Sequence, residues 1–184
     1  MSGQLRSMRQ PRDLNATSAA TLGLLHRLTS ATAGELARAA EADISPFWGI
    51  TRSQIFRELP LLAGRGLVGA GDTGPRGSVP YHLTDAGREA FGAWLVGAPH
   101  PQQPREELLL RIGFGQHLGP EDLELLLDRH RKVHAARLAH HETERAALAE
   151  AGEPYRLVTC EYAIRYERMV LSWIEDLPKL LLTD

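Results

Sequence analysis

Apolar residues fall on a helical period over most of the chain, and turn residues break that period at regular intervals. Leu22, Leu25 and Leu28 share one face of a first helix that begins after Asn15 or Thr17. "TAGE" places Thr32 three residues before Glu35, a capping box, and "ELARAAEA" carries a short second helix from it. "DISPFWG" ends that helix at Pro46. In "TRSQIFRELPLLAGRG", Thr51 and Gln54 form a second capping box. Ile55, Leu59 and Leu62 make its buried stripe, and Gly64 or Gly66 stops it. Pro60 lies inside this third helix, lacks an N–H, and predicts a kink that leaves only the first two turns regular.

"GLVGAGDTGPRGSVPYHLT" follows, with G-x-G-x-x-G at Gly69, Gly71 and Gly74. A dinucleotide-binding turn needs a helix straight after those glycines, because the pyrophosphate sits on its N-terminus. Pro75, Arg76, Gly77, Ser78, Val79 and Pro80 follow instead, then "VPYHL", which alternates with a period of two. The glycines therefore mark the tip of a β-hairpin between "LVGA" and "VPYHL". Thr84 caps a fourth helix, "DAGREAFGAWLV". Three short helices, a hairpin and a fourth helix describe a winged helix-turn-helix, a mainly α fold with a small β-hairpin wing. Four segments are expected: a disordered tail over 1–14, a winged-helix DNA-binding domain over 15–97, a proline-rich linker over 98–104, and a helical dimerisation domain over 105–184.

That last segment holds two long helices. One opens with Pro120 and acidic residues at its N-terminus, where the helix dipole favours them. In the other, Tyr162, Tyr166, Met169 and Trp173 form one stripe, and Leu157, Ile164 and Leu171 another. A helix pair apolar on more than one side needs a partner, and a second copy is the simplest one. Dimer packing is preferred over a ligand cavity for the Tyr162–Trp173 stripe.

Composition refines this picture only modestly. The 184 residues carry a net charge of −2. Residues 1–98 hold 10 arginines against 8 acidic residues, and residues 99–184 hold 11 basic against 15 acidic. A mildly basic front and an acidic back suit a nucleic-acid head on an interaction tail. No apolar stretch approaches the roughly 20 residues of a membrane span, and "MSGQLRSMRQPRDLN" has no signal-peptide core. The single Cys160 excludes a disulfide framework within one chain. A cytoplasmic protein with no membrane contact is expected.

Candidate chemistry gathers on the third helix and the wing. Arg52, Ser53, Gln54 and Arg57 sit at the capped end of the third helix and are of types that bond base edges and phosphates. Arg76 and Ser78 lie at the hairpin tip, where a phosphate contact is expected. Trp48 is assigned to the core of the helix-turn-helix. His130 and His134 have the i, i+4 spacing of metal ligands, and His141 lies seven residues on, all on one face with Leu127 and Leu138. No third ligand is close, so the histidines are assigned to a solvated or interface stripe, with no metal site and no cofactor. There is no G-x-S-x-G, H-E-x-x-H or P-loop, so no catalytic residues and no enzyme activity are expected.

The segments "LGLL" (22–25), "GELARA" (34–39), "FWGITRSQIFRELPLLAGRGLV" (47–68) and "YHLTDAGREAFGAWL" (81–95) together resemble the PadR family of bacterial transcription regulators, in its larger subgroup with a long C-terminal region. The tail matches in helical layout and in "SWI" near its end. The resemblance implies a dimeric winged-helix repressor on a double-stranded DNA operator, with homodimer contacts through the C-terminal helices. Bases would be read by the third helix and phosphates or the minor groove by the wing, often under small-molecule control. It also implies an effector role for Trp94, since an aromatic residue there lines a ligand pocket between subunits in some relatives and stacks on flat aromatic molecules. Where many relatives have tyrosine this chain has Phe56, and so lacks a phosphate-bonding hydroxyl. A MarR-like regulator is the nearest alternative, but that family also dimerises through helices ahead of the winged helix. A winged-helix module that binds protein and never touches DNA is the alternative from another class.

Overall fold

The computed structural model describes residues 14–44, 47–74, 77–98 and 106–181. Two compact units divide the chain, Met1–His100 and Pro101–Asp184. The first contains α1 (Ala16–Leu28), β1 (Ser30–Thr32), α2 (Ala33–Asp43), α3 (Arg52–Gly64), β2 (Val68–Ala70), β3 (Pro80–Leu83) and α4 (Asp85–Leu95).

Each of the four helices starts at a side-chain cap. Asn15 accepts the Ser18 N–H at 2.8 Å, Thr32 and Thr51 make full capping boxes with Glu35 and Gln54, and the Thr84 hydroxyl accepts the Gly87 N–H at 3.0 Å. These bonds satisfy N–H groups that a helix leaves without partners. In the first capping box the bonds from Thr32 hold the Glu35 carboxyl below its ordinary pKa. The C-terminus of α3 closes just as deliberately. Leu67 N–H bonds Leu62 O at 3.0 Å and Gly66 N–H bonds Ala63 O at 2.9 Å, a Schellman motif that requires the positive φ of 70° at Gly66. The helix runs through Pro60 to Gly64 as one element, so the sequence expectation of only two regular turns is not met. Pro60 is exposed, as is Phe56, whose carbonyl the proline leaves without its N–H partner.

Leu22, Leu25, Leu36, Ile55, Leu59 and Leu62 fill the core of this unit, and Phe91 of α4 and Tyr81 of β3 pack against it. Buried polar groups complete it, among them Ser18, Thr21 and Glu58. Ser18 on α1 donates to the Glu58 carboxylate on α3 at 2.7 Å, a bond that ties the third helix to the first across the core. The hairpin pairs Val68 with Leu83, Gly69 with His82 and Ala70 with Tyr81. The sequence pattern did not indicate β1, which pairs antiparallel with the other side of β3 and makes a three-stranded sheet in the order β1-β3-β2. Three residues carry no visible alternation, and pairing with β3 rather than intrinsic propensity holds them extended.

One position in α4 is decided by space. A Cβ at Gly87 would be driven into the carbonyl of Leu67, while at Gly92, a turn further on, it would meet nothing within 4 Å. Gly87→Ala is expected to lower stability by about 1–3 kcal/mol through overpacking, and Gly92→Ala to be neutral or to stabilise by up to about 1 kcal/mol. Thermal melts of the two variants check this pair of signs.

The second unit contains α5 (Glu107–Gly113), a 3-10 turn at Gly115–His117, α6 (Pro120–Glu150) and α7 (Pro154–Leu181). The two long helices are those expected, and α5 is an addition. Leu108 of α5 joins Leu127, Val170, Ile174 and Leu177 in one cluster, and Leu148, Cys160 and Ile164 form a second. Buried positions on α6 include Leu127, His134, His141 and Leu148, and those on α7 include Cys160, Glu167 and Ile174. Both sets recur every seven residues, the period of a coiled-coil seam. Among the described residues no helix is long and apolar enough to cross a membrane.

Candidate nucleic-acid interface

The capped N-terminus of α3 sits on an exposed face. Arg52, Ser53, Phe56 and Arg57 are exposed, while Ile55, Glu58, Leu59 and Leu62 on the opposite side are buried. The helix thus separates a face that anchors from a face that is offered to solvent. No ion pair ties Arg52 or Arg57 to another described residue. The Arg52 guanidinium lies over the Phe56 ring, 5.3 Å from its centroid, a cation–π contact. Lacking a hydroxyl, Phe56 here supplies a platform that restricts the arginine.

Gln54 is less free than its sequence position suggests. Its Oε1 accepts the Thr51 N–H at 2.7 Å and the Thr51 hydroxyl at 3.1 Å, and the residue is half-buried. The capping box and a bidentate base contact draw on the same amide, and in this structure the cap holds it. Ser53, in the first turn of α3, has no such commitment in the cap.

The wing continues beyond its paired strands. Gly71 N–H bonds Pro80 O at 2.8 Å, and Gly74 N–H bonds Ser78 O at 2.7 Å, which closes a tight tip with Gly77 at a φ of 75°. Ser78 is exposed at this tip. Arg76 lies outside the described residues. Trp94 stands in the last turn of α4 and is exposed to 38% of its surface, enough to offer a ring face to solvent. Trp48 is half-buried, with its indole N–H enclosed and without a hydrogen-bond partner among the described residues.

In the second unit the three histidines separate. His134 and His141 are buried and His130 is half-buried, so the stripe is not a solvated one. His134 Nδ1–H donates to the Glu167 carboxylate at 2.5 Å, joining α6 to α7 inside the seam. The His130 ring stacks on His134 at 6.0 Å, and burial, then the neighbouring His134 and Arg111, lower its pKa against the opposing pull of Glu107. Burial, followed by a hydrogen bond to Glu106, raises the Tyr166 phenol well above its ordinary pKa. Tyr166 and Trp173 are half-buried against the α5–α7 cluster, but Tyr162 and Met169 of the same sequence stripe are exposed. With Tyr155 and Val158, they leave one side of α7 uncovered.

Comparisons with known proteins match this arrangement. The model of the family described as the virulence activator alpha C-terminal domain matches residues 104–181. The negative transcriptional regulator PadR of Bacillus subtilis is 23% identical over 177 residues, covering 90% of this chain and 97% of that protein. Its crystal structure in complex with operator DNA covers 91% of this chain and 99% of its own, at a TM-score of 0.78 and 22% identity. The chain shares the fold of these PadR-like transcriptional regulators over about 90% of its length. Two further solved structures share the fold. The same PadR in complex with p-coumaric acid has a TM-score of 0.73 at 22% identity, covering 90% of this chain and 98% of that one. The Vibrio cholerae virulence activator AphA has a TM-score of 0.72 at 20% identity, with 90% and 98% coverage.

Proposed function

We propose that this chain is a PadR-type homodimeric repressor that binds a double-stranded DNA operator and releases it on binding a small aromatic effector. The observation that carries the DNA part is the exposed, capped front of α3, with two arginines bound to no described acidic residue, next to a β-hairpin in the same unit. A recognition helix presents its N-terminal residues to the major groove, and arginine is the commonest specific partner of guanine there. Arg52, Ser53, Gln54 and Arg57 are assigned to the operator, with Gln54 leaving its cap or using its amide nitrogen. Arg76 and Ser78 at the wing tip are assigned to phosphates. Binding of operator DNA by the Bacillus subtilis relative supports the assignment.

A gel shift with the region upstream of the chain's own gene tests the proposal. Retarded DNA supports it, and no shift at any protein concentration favours a module that binds protein. Arg52→Ala and Arg57→Ala are each expected to weaken operator binding by about 1–3 kcal/mol while the thermal melt stays put, because both side chains point away from the core. Equal affinity of both variants and the parent in a fluorescence-anisotropy titration would refute the assignment.

Trp94 is assigned to the effector, supported by its partly exposed ring and by the p-coumaric acid complex of the Bacillus subtilis relative. A ligand there changes DNA affinity only by binding two conformations unequally. In a variant lacking Trp48 and Trp173, p-coumaric acid is expected to quench Trp94 emission and to release the operator over the same concentration range. Quenching without release would remove the regulatory role.

A further inference from the structure

We propose that His140, His141 and Glu144 form a binding site for a divalent zinc-class ion on the C-terminal half of α6. One ligand atom from each of these residues lies within 4.8 Å of the others. The spacing explains the convergence. Successive helical residues turn by about 100°, so Glu144 projects one turn above the gap between His140 and His141, at i+4 from one and i+3 from the other. A single carboxylate can then close on two adjacent imidazoles.

A second observation comes from His141 itself. Its side chain is buried, and its Nδ1 is enclosed without a hydrogen-bond partner. A buried polar nitrogen with no partner is rare in native proteins. The nearest carboxylate oxygen, Glu144 Oε2, stands 3.7 Å away, too far for a hydrogen bond. It is near the donor–donor separation expected around a tetrahedral ion whose ligands sit about 2.0–2.2 Å from the metal. His140 is exposed and gives the ion a route in from solvent.

The neighbours set the remaining chemistry. Arg156 Nη2 lies 3.6 Å from Glu144 Oε1 and competes with a cation, but Glu153 stands 3.7 Å from its Nη1 and remains as its partner when the ion takes Glu144. The Cys160 thiol donates to the His141 carbonyl at 3.2 Å, and burial raises its pKa, so it holds the turn in place and is not counted as a ligand. Two imidazoles and a carboxylate select zinc, nickel or cobalt over calcium or magnesium, which prefer oxygen-only sets. Three protein ligands leave the fourth position to water. The site lies at the edge of the α6–α7 seam, with His141 inside it and His140 facing solvent, and uses none of the residues assigned to DNA.

Zinc titration of the full chain, made without a histidine tag and freed of metal, tests the site against a chromophoric chelator. One zinc per chain at micromolar affinity or tighter is expected. H140A and E144Q are each expected to weaken it at least about tenfold, with unchanged thermal melts in the absence of metal. H130A, outside the site, is expected to keep the parental affinity. Cobalt in place of zinc is expected to give visible d–d bands that H140A abolishes. No stoichiometric zinc on the parent, or parental affinity in either H140A or E144Q, overturns the site. Because His140 is exposed, its variant keeps the test open even if replacing the buried His141 unfolds the helix pair.

Discussion

Glu167→Ala is expected to destabilise the C-terminal unit by about 3–5 kcal/mol, the usual cost of breaking a buried pair by removing one partner. His134 and Glu167 are both almost fully enclosed, and Nδ1 of one meets Oε2 of the other at 2.5 Å. Truncating the glutamate leaves a buried imidazole without its partner, in a seam between Leu127 and Ile174 on one side and His141 and Cys160 on the other. The effect belongs to the pair rather than to either residue. A double variant, His134→Leu with Glu167→Leu, is therefore expected to recover most of the loss, since an apolar pair of similar volume pays no desolvation. Chemical denaturation of the single and double variants checks this. If the double variant is no more stable than Glu167→Ala, packing volume and not the hydrogen bond sets the cost.

The same pair marks where the sequence was readable and where it was not. Caps and turns are written locally, and Thr32 with Glu35, Thr51 with Gln54, and Thr84 all cap the helices they were expected to start. The wing was legible because "VPYHL" alternates and the glycines ahead of it exclude a helix. β1 was hidden because only its pairing with β3 makes it a strand. In the second unit, Leu127, His134, His141 and Leu148 follow a strict seven-residue period. The signal for a helix seam was present, but two of its four positions are polar, and a histidine stripe reads as surface until its partners are known. Glu167, on a helix 33 residues later in the sequence, is what makes His134 a core residue. Polar residues at such positions can fix the register of two helices, and here a matched pair joins one layer of α6 to one layer of α7.

On the candidate interface, residue type and helix phase were enough to place Arg52, Ser53 and Arg57 on the exposed face. Two features needed coordinates. Gln54 was assigned both a cap and a base, and only the geometry shows its amide oxygen engaged by Thr51. The loss of a hydroxyl at Phe56 looked like a deficit, yet the ring carries the Arg52 guanidinium. Under the proposed function, an arginine held over a ring would have fewer conformations to lose on meeting DNA, which would offset part of the missing hydroxyl contact.

If the chain is the proposed dimer, removing α7 is expected to have the largest effect on DNA binding. A chain ending at Glu153 exposes Leu127, His134, His141 and Leu148 of α6, and light scattering is expected to show monomer or aggregate. A two-fold dimer sets its recognition helices in successive major grooves about 34 Å apart, so a monomer holds only half of the contacts. Specific operator affinity is expected to fall by at least about a hundredfold. Loss of fold and loss of dimer are separated by a second variant. Tyr162→Glu with Met169→Glu charges the uncovered side of α7, where the two side chains are 64% and 55% exposed, and leaves the α6–α7 seam untouched. That variant is expected to keep its helical content and thermal melt while becoming monomeric and losing operator affinity to a similar degree. A stable dimer from the truncated chain would remove α7 from the interface. A stable dimer from the charged variant alone would move the contact to another face of the helix pair, where α6 still exposes Leu125 and Val133.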